Sequence, residues 1–274
     1  MIISHDVGKS ISLMVDEQAQ PTWVLNYGST PKPHFSSLRT PAGHELAIVE
    51  PVDHLWHRGL WFTIKYVNEV NFWEERDEFG VHKVAGIPQI SHHDNAVTIA
   101  MDIDWIGPAR NVPIRESRTI VWQEKAASFT LDWSSKLVAR ADLKLDRTPF
   151  TTWGGYSGLS FRGARTWHPQ RFLMPAREEN PLPAGIKAPW LDLSGSFDGG
   201  PDRHGGLAII DRSGEESSWY AGGDQRNTFI NAAFLFDAPI EVTQGETMEF
   251  SYRVVVHDDI WTTSDLRPHL EANT

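Results

Sequence analysis

The sequence predicts an all-β protein, a large antiparallel β-sandwich, on three observations. Apolar and polar residues alternate along many short runs. Those runs are rich in β-branched and aromatic residues, and clusters of Gly, Pro, Asn and Asp separate them. No apolar stripe of helical period lasts beyond two turns. A chain of 274 residues lies in the range of one large β unit, and no linker divides it. Residues 1–274 are therefore expected to form a single β-sandwich domain. No repeat of 20–50 residues recurs, which argues against a propeller or solenoid.

The elements follow in order. ISLMV (11–15) and TWVLNY (22–27) read as the first strands. LWFTIKYV (60–67) sets Leu60, Phe62, Ile64 and Tyr66 against Trp61, Thr63, Lys65 and Val67. A short helical piece fits 70–78. AVTIAMDIDWI (96–106) is a strand preceded by an exposed turn, SHHDNA (91–96). SRTIVWQ (117–123) and SFTLDWSSKLVA (128–139) form a hairpin, with Phe129, Leu131 and Trp133 on one side. Residues 163–202 are rich in Pro and Gly and read as an irregular excursion, ordered by Trp167, Phe172, Trp190 and Phe197 and able to wall a pocket. Strands resume at GLAIID (206–211), SSWYAG (217–222), FINAAFLF (229–236) and MEFSYRVVVHD (248–258). In the last, Tyr252, Val254 and Val256 oppose Arg253, Val255 and His257, and Arg253 is expected to pair with a carboxylate. A second helical piece fits 263–272.

The charge balance narrows the function. Lys and Arg number 25 against 36 Asp and Glu, a net charge of −11. That disfavours nucleic acid and anionic membranes as partners, because both select basic surfaces. With no cysteine, disulfides and thiolate metal sites are excluded. The N-terminus lacks the apolar core of a signal peptide, and no apolar run nears the roughly 20 residues needed to span a bilayer. A cytoplasmic location is the expectation, and an oligomer is compatible with the sequence. Trp is abundant at 12 residues. It serves either the core or a stacking surface for sugar rings.

The densest chemistry is DHLWHRGLWF, residues 53–62. In an unbroken strand His54 and His57 would point to opposite faces. A loop ending near Arg58 would let them converge, and Pro51 favours that loop. His54 and His57 are candidate acid–base residues or ligands of a divalent metal, the one cofactor the sequence brings into question. A zincin is unsupported, since H-E-x-x-H is absent. Arg58 offers a guanidinium fork, and NEVNFWEE adds Asn68, Trp73 and a candidate catalytic Glu74. Trp61 and Trp73 are candidate pocket walls. Arg162 and His204 are further candidate substrate contacts, with His34, His44, His168, Asp224, Arg226 and Asn227 as outlying polar groups. Ser157 is not in a G-x-S-x-G elbow, because residue 159 is Leu. The GG pairs near 199 and 205 lack the G-K-[ST] of a phosphate loop.

DHLWHRGLWFTIKYVNEVNFWEE, APWLDLSGSFDG followed by GGLAIID, SSWYAGGDQRNTFINAAFLF and YRVVVHD together resemble the bacterial "PmoA family", a domain of unknown function, across roughly residues 20–260. That family shares its name with a membrane methane monooxygenase subunit, but this chain has no spanning segment and the implication does not carry. The resemblance implies a galactose-mutarotase-like supersandwich and, from the genes that accompany such proteins, sugar chemistry. Members often carry H-D-H-P-H-H-R-G. Here Val52, Leu55 and Trp56 replace two of its histidines and its proline, while His54, His57 and Arg58 remain. The expected function is cleavage of a glycoside or oxidised keto sugar, by hydrolysis or β-elimination, with a small-molecule sugar as partner. Aldose epimerisation and non-catalytic sugar binding are the alternatives.

Overall fold

The computed structural model describes residues 1–15, 18–148, 155–175, 184–214, 216–222 and 228–270. In chain order the early strands are β1 (Ile2–Asp6), β2 (Ser10–Met14), β3 (Trp23–Asn26), β4 (His34–Leu38), β5 (Leu60–Ile64), β6 (Tyr66–Val67) and β7 (Val70–Asn71). The middle of the chain gives β8 (Val81–His93), β9 (Ala96–Ile106), β10 (Ile114–Lys125), β11 (Ser128–Ala139), β12 (Leu143–Asp146), β13 (Ser157–Arg162) and β14 (Trp167–Leu173). The remainder is β15 (Ala184–Ala188), β16 (Trp190–Phe197), β17 (His204–Asp211), β18 (Ser217–Gly222), β19 (Phe229–Ala232), β20 (Ile240–Val242), β21 (Thr247–Asp258) and helix α1 (Thr263–Leu270).

These build a large antiparallel β-sandwich. One sheet runs β1-β2-β3-β4-β5-β13-β19-β18-β15, the other β14-β16-β17-β21-β11-β10-β9-β8, and β20-β12-β6-β7 form a small third sheet. Rings from the two large sheets meet in the middle. Phe35 of β4 lies 6.3 Å from Trp133 of β11, and Phe62 of β5 lies 5.2 Å from Phe250 of β21. The predicted hairpin β10–β11 forms, with Lys125 opposite Ser128, and Phe129, Leu131 and Trp133 all enter the core. On β21, Tyr252, Val254 and Val256 face that core, while Val255 packs beneath Leu266 of α1 on the opposite face. Arg253 holds Asp132 bidentately, at 2.6 and 2.8 Å.

Two expectations need correction, and one strand was not expected. The described parts of 163–202 are largely strand rather than an irregular excursion: β14 and β16 are paired strands of the second sheet, and β15 pairs with β18. Glycines mask the pattern there, and a register shift after Pro169 breaks its period. Residues 70–78 form β7 and turns, not helix. β8 runs for 13 residues although it contains Gly86 and Pro88. It is tolerated as an edge strand whose register shifts between Ala85 and Gln89.

Candidate functional site

The loop that carries the histidines is closed at its neck. Val49 and Arg58 form an isolated antiparallel bridge, and Glu50 N–H donates to the His57 carbonyl at 2.9 Å. Inside it, His54 N–H donates to Pro51 O and His57 N–H to His54 O, giving two successive turns. The chain therefore enters β5 only after Arg58, and the two imidazoles converge as a loop allows. Their rings stack with centroids 4.6 Å apart and planes 20° apart. Gly59 makes the exit from the loop. Its φ is +70°, and a Cβ there would sit 2.2 Å from the Phe35 carbonyl oxygen.

His57 is buried between His54 and Phe229, whose ring stacks on it at 5.0 Å. Its Nδ1 lies 3.1 Å from Arg162 Nη1. Burial, reinforced by the Arg162 charge, pushes the His57 pKa down to about 2, so the ring is neutral across the physiological range. Asp53 joins the group from the other side. It accepts from His54 Nδ1 at 2.7 Å, from Arg162 Nη2 at 2.5 Å and from Arg165 Nη2 at 2.7 Å. Desolvation alone would raise the Asp53 pKa, but the bonds from His54 and Arg162 outweigh it and hold the carboxyl well below the usual range.

Beside the two rings opens a cavity of about 240 Å³, lined by His54, Trp56, His57, Lys65, Trp73, Glu74, Thr148 and Tyr156. Its aromatic wall belongs to a cluster separate from the sandwich core, built on Trp61, Trp73 and Phe229 with Trp56, Tyr156 and Tyr220 packed against it. Tyr156 stacks on Trp73 at 4.9 Å. Burial first, and then neighbouring Tyr220 and Glu74, keep the Tyr156 hydroxyl protonated by raising its pKa. Glu74 faces the cavity as a carboxylate. Desolvation opposes that charge, but Lys65 Nζ and the Asn71 amide donate to it and lower its pKa. A larger open cleft of about 400 Å³, lined by Lys187, Asp211, Glu216, Asp237 and Glu249 among others, contains no histidine.

Of the residues expected at the site, His54, His57, Trp73 and Glu74 line the cavity. Trp61 is fully buried against His57 and Trp73 and does not line the cavity. Arg58 turns away: it is bound by Glu75 through two nitrogens and by Glu50 at 2.5 Å, and Lys32 completes that buried network at 3.3 Å from Glu75. Arg162 meets Asp53 and His57 rather than the cavity. Asn68 is elsewhere, a left-handed turn residue that bonds the Asp142 carbonyl and Lys144 N–H and lines a separate surface groove. His204 also lies away, with its Nδ1 3.1 Å from Ser196 Oγ. His34 is buried with its Nδ1 3.0 Å from the Lys32 carbonyl, His44 packs at a tilt against Phe197, and His168 meets Asp198. Asp224, Arg226 and Asn227 lie outside the described residues.

Sequence reasoning missed Asp53, Lys65 and Tyr156. The adjacency of Asp53 to His54 was the one available signal. A metal ion does not fit the pair as placed. Nearly parallel stacked imidazoles cannot aim two in-plane lone pairs at one point, and the described residues gather no group of three or more His, Asp or Glu that could hold an ion.

The fold and site define a β-sandwich with a histidine-bearing aromatic pocket. Residues 10–271 match the family of unknown function DUF6807, and the chain belongs to that family. No curated protein matches it. Among solved structures, a mutant of heparan sulfate lyase HepC from Pedobacter heparinus aligns over 96% of this chain at 9% identity, with a TM-score of 0.52. The chain spans only 37% of that lyase, so the likeness is one of fold. A galactose mutarotase-like protein from Lactobacillus casei aligns over 90% of this chain and all of its own, at 9% identity and a TM-score of 0.44. GH36 alpha-galactosidase AgaB from Geobacillus stearothermophilus aligns over 94% of this chain and 41% of its own, at 11% identity and a TM-score of 0.46. No described helix is long and apolar enough to cross a membrane.

Proposed function

We propose that the cavity holds one sugar ring of a glycoside or keto sugar and that the chain cleaves it by β-elimination. The observation that carries this reading is an Asp–His pair opening onto an aromatic-walled pocket. Asp53 accepts from His54 Nδ1, so the neutral His54 ring carries its lone pair on Nε2, the position from which a base removes a proton. Trp56, only partly buried, offers an apolar surface backed by the enclosed Trp73, with Glu74 and Thr148 beside it for hydroxyls.

Elimination is favoured over hydrolysis by the inventory of acids. Glycoside hydrolysis ordinarily uses two carboxyl groups, one of them protonated. Among the described residues lining the cavity Glu74 is the one carboxyl group, and Lys65 holds it ionised. The Tyr156 hydroxyl is a weak acid in the cavity that no described carboxylate binds, unlike the Lys65 ammonium held by Glu74, and is placed to protonate a leaving oxygen. His54 would take the proton next to a carbonyl carbon, the electron pair would form the new double bond, and the departing C–O oxygen would receive the Tyr156 proton. The candidate substrates narrow to sugars that carry such a carbonyl. The test is a melting-temperature screen with neutral, keto and disaccharide ligands, followed by ultraviolet detection of an unsaturated product. Hits without new absorbance, but with release of a reducing sugar, would replace elimination by hydrolysis. Hits with anomeric exchange alone would replace it by epimerisation.

A further inference from the structure

We infer that Arg162 is a positioning residue that sets the two stacked imidazoles in opposite tautomers, so that the pocket presents a base at His54 and a hydrogen-bond donor at His57. The argument starts from what each group can do. A guanidinium has five donors and no acceptor. The 3.1 Å contact from Arg162 Nη1 to His57 Nδ1 therefore requires a lone pair on Nδ1, and the neutral His57 ring must carry its proton on Nε2. The neighbouring ring is set the other way. Asp53 is ionised and only accepts, so His54 Nδ1 must carry a proton, and in the neutral ring Nε2 has the lone pair.

One side chain enforces both states, because Arg162 Nη2 also donates to Asp53 Oδ2. Both Nδ1 atoms turn toward the Asp53–Arg162 pair, which leaves each Nε2 on the far side of its ring. Neither Nε2 is among the sealed, unpartnered nitrogens of the described core. Two stacked imidazoles of like tautomer would offer two bases or two donors. This arrangement offers one of each, side by side. Arg162 is held firmly enough for the task. It is 1% exposed, its N–H donates to the Gly59 carbonyl at 2.7 Å, its carbonyl accepts from Ile48, and it pairs with Phe229 in the centre of the nine-stranded sheet.

This inference deepens the acid–base reading of the pocket and rests on it only for its effect on turnover. The test is imidazole nitrogen NMR on the whole ¹⁵N-histidine-labelled protein near neutral pH, which needs no substrate. The wild-type protein should show His57 protonated at Nε2 and bare at Nδ1, and His54 protonated at Nδ1. Arg162→Lys keeps the charge but cannot bridge two acceptors with a rigid fork, and should convert the His57 signal to a tautomer mixture. Arg165→Gln, which removes a half-exposed donor to Asp53, should leave the His57 tautomer as it is. On a substrate found by the screen, Arg162→Lys should lower kcat at least tenfold with little change in KM. A wild-type His57 protonated at Nδ1 overturns the inference even if no Arg162 variant folds. So does an Arg162→Lys protein with the wild-type tautomer. Failure of every sugar to bind would sink the proposed function while leaving the tautomer result standing.

Discussion

His54 and His57 share a loop and a stack, yet their surroundings give them different tasks. His54 is partly exposed and oriented by a carboxylate, while His57 is enclosed and faces a guanidinium. His54→Asn keeps a hydrogen-bonding side chain but removes the base. It should lower turnover by about 10²–10⁴-fold, the usual contribution of a positioned general base, while sugar-induced stabilisation persists. Equal loss of binding and turnover would assign His54 to recognition instead. The enclosed imidazoles also make stability depend on pH. Burial lowers the pKa of His57 to about 2 and that of His34 to about 4, both below the unfolded value of 6.5. The unfolded chain thus binds more protons below pH 6.5, and stability falls as the solution is acidified, each group contributing up to about 1.4 kcal/mol per pH unit. The loss runs from pH 6.5 down to about 4 for His34 and further for His57. Urea unfolding at pH 7, 6 and 5 should show the midpoint falling, with a shallower fall in His57→Asn. A pH-independent midpoint would contradict neutral burial of these rings.

At the scale of elements, the strand from Gly59 is only as well placed as the turn that feeds it. Gly59→Ala would combine a left-handed backbone with a Cβ driven against the Phe35 carbonyl, which β4 and β5 cannot relieve without parting. The expected cost is about 2 kcal/mol or more, read as a lowered denaturant midpoint together with loss of sugar binding. A variant of wild-type stability would mean that the loop has another route into β5. The long strands were legible because alternation is unambiguous over ten or more residues, as in β9 and β11. β14 and β16 were hidden because Pro169, Gly195 and the register shift break a period-two pattern that only sheet neighbours restore. The site divides the same way. His54, His57, Trp73 and Glu74 are close in sequence to the loop or to β5 and were readable. Tyr156 is brought in by the pairing of β13 with β5, about a hundred residues away, and no local pattern announces it. Asn68 was misplaced for the opposite reason: nearness in sequence put it beside Trp73, but the β6–β7 turn points it toward β12.

Over the whole molecule the decisive quantity is charge. Four described cations at the site already meet carboxylates: Lys65 with Glu74, Arg58 with Glu50 and Glu75, Arg162 and Arg165 with Asp53. These four paired cations therefore do not offset the net charge of −11. A polyanionic glycan approaching this surface meets repulsion that extends about 30 Å at 0.01 M salt and only about 3 Å at 1 M. The fold shared with a heparan sulfate lyase thus does not by itself bring that lyase's substrate with it, and the charge predicts an uncharged sugar. Quenching of Trp fluorescence, read against salt, separates the two cases, since Trp56 and Trp73 line the cavity. Neutral ligands should bind with an affinity that salt leaves unchanged. Sulfated or uronate-rich oligosaccharides should fail to bind at low salt and gain, if anything, as salt rises. Tight binding of such a polyanion at low salt, weakening as salt is added, would require a cationic surface beyond these paired residues, and would move the substrate class from neutral sugars to acidic glycans.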